Sequence, residues 1–332
     1  MIKMKKGRDK MGELDKPYID DQKLREILET SMHGELKYTL MNDFLAKYSL
    51  QKDLYALKGL LAALLHLELN AIYQIEILNP IIPGEHIQDK DCILDIKLEL
   101  NNHSIINIEI QTRFQEYWAE RSLLYLSRNF DHLEEGESYR QLKPCVQIGI
   151  LDNQIFSRDD PRYTGEMYAE YQMLNVKTHT EYTGKFSIKV LSLKNIENVS
   201  EEEKSDPNSV YWWAKLFSAK SWEELKMVAE KNERMRSYVG TVRKLSAEER
   251  VAQICEERSK YLSDVATLKD CLEEATKKLE EESERVKRIE EENRQLRQQL
   301  EQLQKSFHSC KNFNGRNIIK MFENRSLYKK GE

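Results

Sequence analysis

Three polar residues with the spacing of a metal-binding site stand on two neighbouring segments of the chain. Asp95 lies in segment 93–100, and Glu109 and Gln111 lie in segment 105–111. Mg²⁺ is commonly held by one or two carboxylates together with water and substrate phosphate. The set could therefore hold Mg²⁺ between Asp95 and Glu109, while Gln111 orients an attacking water or a phosphate oxygen.

Both segments alternate apolar and polar residues, which is the pattern of strands with one buried face. A three-residue loop over 101–103 sets Asp95 opposite Glu109 and keeps the two apolar faces together, whereas a two-residue turn would set Asp95 opposite Ile108. The alternation therefore predicts a β-hairpin with the two carboxylates roughly 4.5–5.5 Å apart at Cβ.

A second interpretation of the acids remains open at this point. Asp95 and Glu109 could be solvated residues on an exposed sheet face, with Lys97 nearby as a salt-bridge partner. Alternating acids are common on exposed strands, and an isolated D…ExQ pattern is a weak motif. The order of the surrounding elements has to decide between the two.

That order is helix, three strands, helix, strand, and helices follow after Pro207. Each element is predicted from the period of its apolar residues, and two later helices have capping-box starts. Strands are predicted over 72–78, 93–100, 105–111, 145–151 and 186–193. The first helix begins at Asp53 and buries Leu54, Leu57, Leu61, Leu64 and Leu65, and the second covers 115–133 and buries Ala119, Leu123, Leu126, Phe130 and Leu133. The capping boxes are Ser221–Glu224 and Ser246–Glu249.

With the acids on its second and third strands, the chain resembles the PD-(D/E)xK nuclease superfamily, and within it the recombination-promoting nuclease/putative transposase family. The resemblance runs from about residue 42 to 261. It is carried by KDCILDIKLEL (90–100), NIEIQ (107–111), ERSLLYLSRNFDHLEEGESYRQLKPCVQIGIL (120–151), LSLK (191–194) and LSAEERVAQICEERSKYLSD (245–264). It implies an α/β fold with a PD-(D/E)xK restriction-endonuclease-like core (α-β-β-β-α-β), and we expect a helical region and a C-terminal coiled coil to follow that core.

The resemblance also implies an activity, that of a metal-dependent DNA endonuclease hydrolysing phosphodiester bonds and linked to recombination or mobile elements. Mg²⁺ would be the cofactor, with Mn²⁺ as the alternative. Asp95 and Glu109 would bind the metal, the carbonyl of Ile110 would join them, and Gln111 would assist. The family tolerates glutamine at the position of Gln111, where the superfamily name has lysine.

An early D-x-x-F-K pattern of the family is only partly present. Asp43 and Lys47 match it, but Ala46 stands where the family has an aromatic residue. Asp43 is therefore interpreted either as a further catalytic acid or as an ordinary acid on a helix surface.

The helix after the hairpin carries the residues expected to contact DNA. Arg121, Tyr125 and Arg128 recur on one face of it, and Arg113 lies just before it. Arginines with an interleaved tyrosine suit phosphate contact. Alternatively this face is solvated, with Arg121 or Tyr125 packing internally and supporting the acids.

Residues 262–305 predict a coiled coil, because apolar residues repeat in heptads. The a positions are Val265, Leu272, Leu279, Val286, Asn293 and Leu300, and the d positions are Leu268, Ala275, Glu282, Ile289, Leu296 and Leu303. Asn293 favours a parallel homodimer in fixed register, in which Arg285 reaches Glu290 of the partner and Glu292 reaches Arg297. The alternative is a single solvated helix held by its own Glu–Lys and Glu–Arg pairs.

Composition limits the other classes of function. The 332 residues are 33% charged and 40% hydrophobic with a net charge of −5, so any DNA contact must come from a local patch. Five scattered cysteines without a CxxC pair indicate reduced thiols, a cytoplasmic location and no structural zinc. No signal peptide, membrane span or nucleotide-binding loop is expected. The expected regions are a polar, basic and mobile lead-in (1–35), a nuclease-like domain (36–205), a helical region (206–261), the coiled coil (262–305) and a polar tail (306–332).

Two other functions compete with a DNA endonuclease. One is a catalytically silent nuclease-fold protein that acts through its coiled coil, which Ala46 and the net negative charge favour. The other is a nuclease acting on RNA as well as DNA, since the metal chemistry would be the same.

Overall fold

A computed structural model describes residues 14–29, 33–81, 95–111, 117–131, 133 and 135–327, with side chains described up to residue 306. The chain divides into two compact units, Met1–Lys260 and Tyr261–Glu332. The first unit holds the sheet and the acids, and the second continues the last helix.

One mixed sheet forms the centre of the first unit, with six strands among the described residues. They are β1 (Ile75–Ile77), β2 (Asp95–Leu100), β3 (Ser104–Gln111), β4 (Cys145–Leu151), β5 (Tyr168–Leu174) and β6 (Glu181–Ser192), in the spatial order β1-β2-β3-β4-β6-β5. Strands β3, β4 and β6 run parallel to one another, so their carboxyl ends lie at the same edge of the sheet. Strands β1, β2 and β5 are antiparallel to their neighbours.

The β2–β3 hairpin has the register predicted from the sequence. Asp95 pairs with Glu109, and the loop occupies residues 101–103. Asn101 and Asn102 adopt φ values of 55° and 54°, which asparagine tolerates better than most residues. The Asn101 side-chain oxygen accepts from the main-chain N–H of Tyr73, which ties the loop to the segment before β1.

Helices make up much of the rest of the described chain. They are α1 (Asp21–Glu29), α2 (Asp43–Lys52), α3 (Leu54–Leu65), α4 (Trp118–Phe130), α5 (Glu201–Ser205), α6 (Val210–Ser218), α7 (Trp222–Ala229), α8 (Glu233–Ser246) and α9 (Glu249–Leu327). Asp53 caps α3 as predicted, since its carboxylate accepts from the Ala56 N–H. Ser221 likewise caps α7.

The second predicted capping box is wrong. Ser246 is the last residue of α8, and its hydroxyl donates to the carbonyl of Arg243 instead of accepting from a following N–H. The next helix, α9, begins only at Glu249. The S-x-x-E spacing is present, but the chain is still helical at its serine.

The main core lies against one face of the sheet. It joins Ile106, Ile108 and Ile110 of β3 to buried residues of α2, α3, α6 and α8, among them the predicted Leu57, Leu61 and Leu64. The expected mobile lead-in also differs, because Leu14, Ile19 and Leu24 are buried. Their side chains remove apolar surface from water, so this part of the segment belongs to the folded unit.

Helix α4 lies on the opposite face of the sheet and is rotated from the predicted orientation. Trp118, Ser122 and Leu126 are buried, whereas Leu123 is 49% exposed. The rotation follows from Trp118, which packs over Gly149 so closely that a Cβ there would lie 2.3 Å from Trp118 Cζ2. A glycine in β4 thus makes room for the indole.

Two later strands, β5 and β6, differ from the prediction. Strand β5 was not predicted, and its mostly exposed residues explain the weak signal. Strand β6 begins at Glu181, five residues before the predicted start at Phe186.

The second unit continues α9 as a single helix. Eight large apolar residues of its heptads are exposed, from 47% at Ile289 to 72% at Leu279, so the predicted coiled coil stays a prediction. Among the described helices, none combines the length and apolar character needed to cross a bilayer.

Candidate active site

The two opposed acids lie on the sheet face that α4 covers. Strand alternation puts Asp95, Asn107 and Glu109 on that face, and Gln147 and Gly149 of β4 continue it through the β3–β4 register. Glu109 is 1% exposed and Asp95 is half-buried. The solvated-acid interpretation is therefore wrong for Glu109, which is enclosed by the fold.

Asp95 is held by a chain of amides. The Nδ2 of Asn107 donates to Asp95 Oδ2 at 2.9 Å and to Gln147 Oε1 at 3.0 Å. Asn107 and Gln147 are both buried, so these bonds form away from water, where an unmade one would be costly. The other oxygen, Asp95 Oδ1, is buried without a hydrogen-bond partner among the described residues.

Glu109 carries a charge that the protein only partly compensates. Arg121 Nη2 lies 3.0 Å from Glu109 Oε1, but neither carboxylate oxygen has a hydrogen bond of good geometry in the described structure. Burial, reinforced by the charge of Asp95, raises the pKa of Glu109 to about 7, against the opposing charges of Arg121 and Lys47. A buried acid with a perturbed pKa beside a second acid is a frequent mark of a functional site.

The acid pair fits a hard divalent cation. Three buried carboxylate oxygens, Asp95 Oδ1 and both oxygens of Glu109, lack hydrogen bonds among the described residues. A cation would supply the missing partner and offset the repulsion between the two acids. The described residues contain no group of three or more His, Cys, Asp and Glu side chains placed for a metal.

Gln111 and Ile110 complete β3 at its carboxyl end. Gln111 is half-buried two residues beyond Glu109 on the same face, and its carbonyl accepts from the Asp152 N–H at 3.0 Å. Ile110 pairs with Ile150 of β4, and its side chain lies in the main core. Ligation by the Ile110 carbonyl and assistance by Gln111 both stay predictions.

Asp43, on the first turn of α2, is bound by an arginine of α9. Arg258 Nε lies 2.9 Å from Asp43 Oδ1, and Arg258 Nη2 lies 2.7 Å from Asp43 Oδ2. The preceding residue, Asn42, donates its amide to the Cys255 carbonyl of the same helix. Asp43 therefore joins α2 to α9, and its catalytic role stays a prediction.

Lys47 is a site residue to which the sequence prediction gave no role. It lies one turn after Asp43 on α2 and is fully buried, and its Nζ has no hydrogen-bond partner among the described residues. Burial lowers its pKa, and the charges of Asp43, Asp95 and Glu109 oppose that shift. The match of Lys47 to the D-x-x-F-K spacing was the available signal. For Asn107 the signal was its place on the strand face of Glu109.

The structure places the predicted DNA-binding residues in different surroundings. Arg121 pairs with Glu109 and lies 5.1 Å from the centre of the Tyr125 ring, as expected if both support the acids. Arg128 is exposed two turns further along α4. Arg113 lies outside the described residues. DNA contact by these four stays a prediction.

Comparison with known proteins agrees with this geometry. A sequence model described as PD-(D/E)XK nuclease family transposase matches residues 40–275, a span that includes the whole sheet and all the acids above. No curated protein and no solved structure gives a significant match. The match covers most of the chain, and the six-stranded α/β fold is consistent with it, so the chain belongs to the PD-(D/E)XK nuclease family transposases.

Proposed function

We propose that this protein is a metal-dependent DNA endonuclease that hydrolyses phosphodiester bonds during recombination or the movement of mobile elements. The observation that carries the proposal is the pairing of half-buried Asp95 with buried Glu109 across the β2–β3 hairpin, where three of their four carboxylate oxygens lack a hydrogen bond among the described residues. Membership of a nuclease family of transposases supports a nucleic-acid substrate. Mg²⁺ is the proposed cofactor, with Mn²⁺ as the alternative.

The residues of the proposed site have different tasks. Asp95 and Glu109 would hold the cation, and Asn107 keeps Asp95 in one orientation through its 2.9 Å hydrogen bond. When bound, the cation lowers the pKa of a water molecule and stabilises charge that develops on the phosphate. Gln111, at the carboxyl end of β3, would orient that water or a phosphate oxygen.

Arg121 is proposed to interact with both Glu109 and the substrate phosphate. Its Nη2 lies 3.0 Å from Glu109 Oε1 and partly offsets the charge of that carboxylate, and its guanidinium lies over the Tyr125 ring. A guanidinium at this position also suits a phosphate placed over the acids, because arginine binds phosphate oxygens in a bidentate manner. We therefore assign phosphate contact to Arg121 together with Tyr125, and outer backbone contacts to Arg113 and Arg128.

Assembly is proposed to be a parallel homodimer through α9. Eight large apolar residues at a and d positions are exposed along this helix, and a second copy presents the complementary stripe. Asn293 sets the register. A dimer brings two acid sites to one DNA molecule and suits cleavage of both strands. With Cys145, Cys255 and Cys271 as free thiols, the proposed compartment is the reducing cytoplasm.

The decisive experiment is cleavage of supercoiled plasmid with Mg²⁺ or Mn²⁺, with EDTA as the metal-free control. Wild type should nick or linearise the plasmid, and Asp95→Ala and Glu109→Gln should not. Glu99→Gln is the matched control, because Glu99 lies on β2 near Asp95 but is paired with Lys143. Activity that survives in both acid variants would refute the proposed site. Parallel assays on single-stranded and double-stranded RNA decide whether the substrate class is DNA alone.

A second candidate is a catalytically silent protein that acts through α9. The exposed heptad stripe favours it, as does the enclosure of Glu109 beneath Arg121. Folded wild-type protein that leaves DNA and RNA intact with either metal, and that dimerises through α9, would establish this candidate instead.

A further inference from the structure

Lys47 differs from an ordinary structural lysine. Its side chain is fully buried, and the neighbouring residues Leu45, Ala46 and Leu50 of α2 are buried and apolar. Its Nζ has no hydrogen-bond partner among the described residues. An unpaired ammonium group in such surroundings carries a large desolvation penalty, which a methionine of similar length would avoid. Packing alone therefore does not account for a lysine here.

Lys58 shows how this fold treats a lysine with a structural role. Lys58 is also buried, on α3, but its Nζ lies 2.7 Å from Asp15 Oδ1, and the ion pair joins the helix to the leading segment. Lys47 has no such direct partner in the described structure. What surrounds it instead is a group of charges at longer range.

Helix α2 packs against β2 and β3, the strands that carry the two acids, and against α3 and α8. Asp43 lies on the same helix as Lys47, Asp95 on β2, Glu109 on β3 and Arg258 on α9, and each acts electrostatically on the Lys47 ammonium. Three negative groups and one positive group face it, but Arg258 already binds Asp43 through two nitrogens. The charge of Lys47 therefore acts chiefly on Asp95 and Glu109, the two acids of the proposed cation site.

We propose that Lys47 is a positioning residue of the acid site, a fixed counter-charge that keeps Asp95 and Glu109 together without a cation and weakens their affinity for one. The inference rests on the proposed function of that pair. A positive charge held nearby in a medium of low dielectric repels a divalent cation strongly. The site would then fill most readily when a substrate phosphate adds its own negative oxygens.

This role makes binding of cation and DNA interdependent. If the phosphate raises the affinity for the cation, linkage requires that the cation raises the affinity for DNA by the same factor. Removing the Lys47 charge should loosen that coupling, because the acid pair would then bind the cation unaided. The protein would lose selectivity for the DNA-bound state and gain metal affinity.

The experiment measures Mn²⁺ binding to the full-length protein by titration calorimetry at pH 7.5 without DNA. Lys47→Met and Lys47→Gln both remove the charge, and Lys58→Met removes a buried lysine that lies in a different ion pair. Circular dichroism establishes that each variant is folded. We expect both Lys47 variants to bind Mn²⁺ on the order of tenfold more tightly than wild type. Lys58→Met should bind like wild type.

The outcomes separate the two proposals. Unchanged or weaker Mn²⁺ binding in both Lys47 variants overturns the counter-charge role, since a residue with only a structural role would loosen the site when removed. If neither wild type nor the Lys47 variants bind Mn²⁺, and Glu109→Gln behaves alike, the cation site itself is refuted. Thermal melts with and without Mn²⁺ give a second readout, because tighter binding of the native state increases the metal-induced rise in Tm.

Discussion

Arg258 binds Asp43 across 215 positions of sequence, with its Nε 2.9 Å from Oδ1 and its Nη2 2.7 Å from Oδ2. The contact joins the first turn of α2 to α9, next to the buried Lys47 and therefore close to the acid site. An ion pair with this geometry and little exposure contributes to both stability and position.

The first prediction concerns this ion pair. Asp43→Asn and Arg258→Ala should each destabilise the protein, toward the lower end of the roughly 3–5 kcal/mol lost when one partner of a buried pair is removed. The double variant should lose less than the sum of the two, because neither charge is left alone. Urea unfolding of the four proteins measures the coupling. Asp43→Asn with normal stability but no cleavage would instead assign Asp43 to catalysis.

The second prediction concerns the amide chain. Asn107→Leu should leave both Asp95 oxygens without a hydrogen bond and lower cleavage by about 10–100-fold, the typical effect of losing the partner that orients a metal ligand. Plasmid cleavage at saturating Mg²⁺ is the measurement. Asn198→Leu is a suitable control, because Asn198 makes its hydrogen bond to the Gly165 carbonyl elsewhere in the fold. Equal rates for Asn107→Leu and wild type would contradict the role of Asn107.

The third prediction follows from the raised pKa of Glu109, about 7 in the folded protein against an ordinary value of 4.5. Between these values the unfolded chain loses the proton while the folded protein keeps it. The metal-free protein should therefore lose stability as pH rises from 4.5 to 7, by up to about 3 kcal/mol from this group. Urea unfolding in EDTA at pH 5 and pH 8 measures the change.

Glu109→Gln provides the comparison for this pH dependence. The amide does not ionise, so the variant should lack the slope and should be more stable than wild type at pH 8 in EDTA. A wild-type protein whose stability matches that of Glu109→Gln at both pH values would show that Glu109 is not desolvated in this way.

The fourth prediction tests assembly. Leu279→Glu together with Leu296→Glu places charges in the a/d stripe and should convert the dimer to a monomer, since two copies would then oppose like charges in the seam. Light scattering at micromolar concentration measures the mass. Glu281→Gln with Gln298→Glu, outside the a and d positions, is the control. A wild-type monomer at this concentration would rule out the proposed dimer.

The sequence predicted best what depends on local alternation. The β2–β3 register followed from the apolar faces, so the opposition of Asp95 and Glu109 was correct to the residue. The family resemblance is confirmed by the match over 40–275. Strand β4 was predicted with its observed bounds because it is a short and mostly apolar run of residues.

Contacts between distant segments were not predictable in this way. Leu123 was placed in the buried stripe of α4 because periodicity does not fix the rotation of a helix, which Trp118 sets by packing on β4. The partner of Asp43 lies in a later helix, and no spacing rule connects the two. Lys47 had the family spacing, but only the fold shows that its ammonium group is enclosed with the acids.

The packing of Trp118 on Gly149 has an evolutionary consequence. A methyl group at position 149 would collide with the indole, so Gly149 can be replaced only if the side chain at position 118 becomes smaller. Because Trp118 begins the helix that carries Arg121, a change at either position would also shift the guanidinium beside Glu109. Natural relatives of this chain that replace Gly149 should therefore carry a smaller side chain at position 118, and the two positions should covary as one inherited unit.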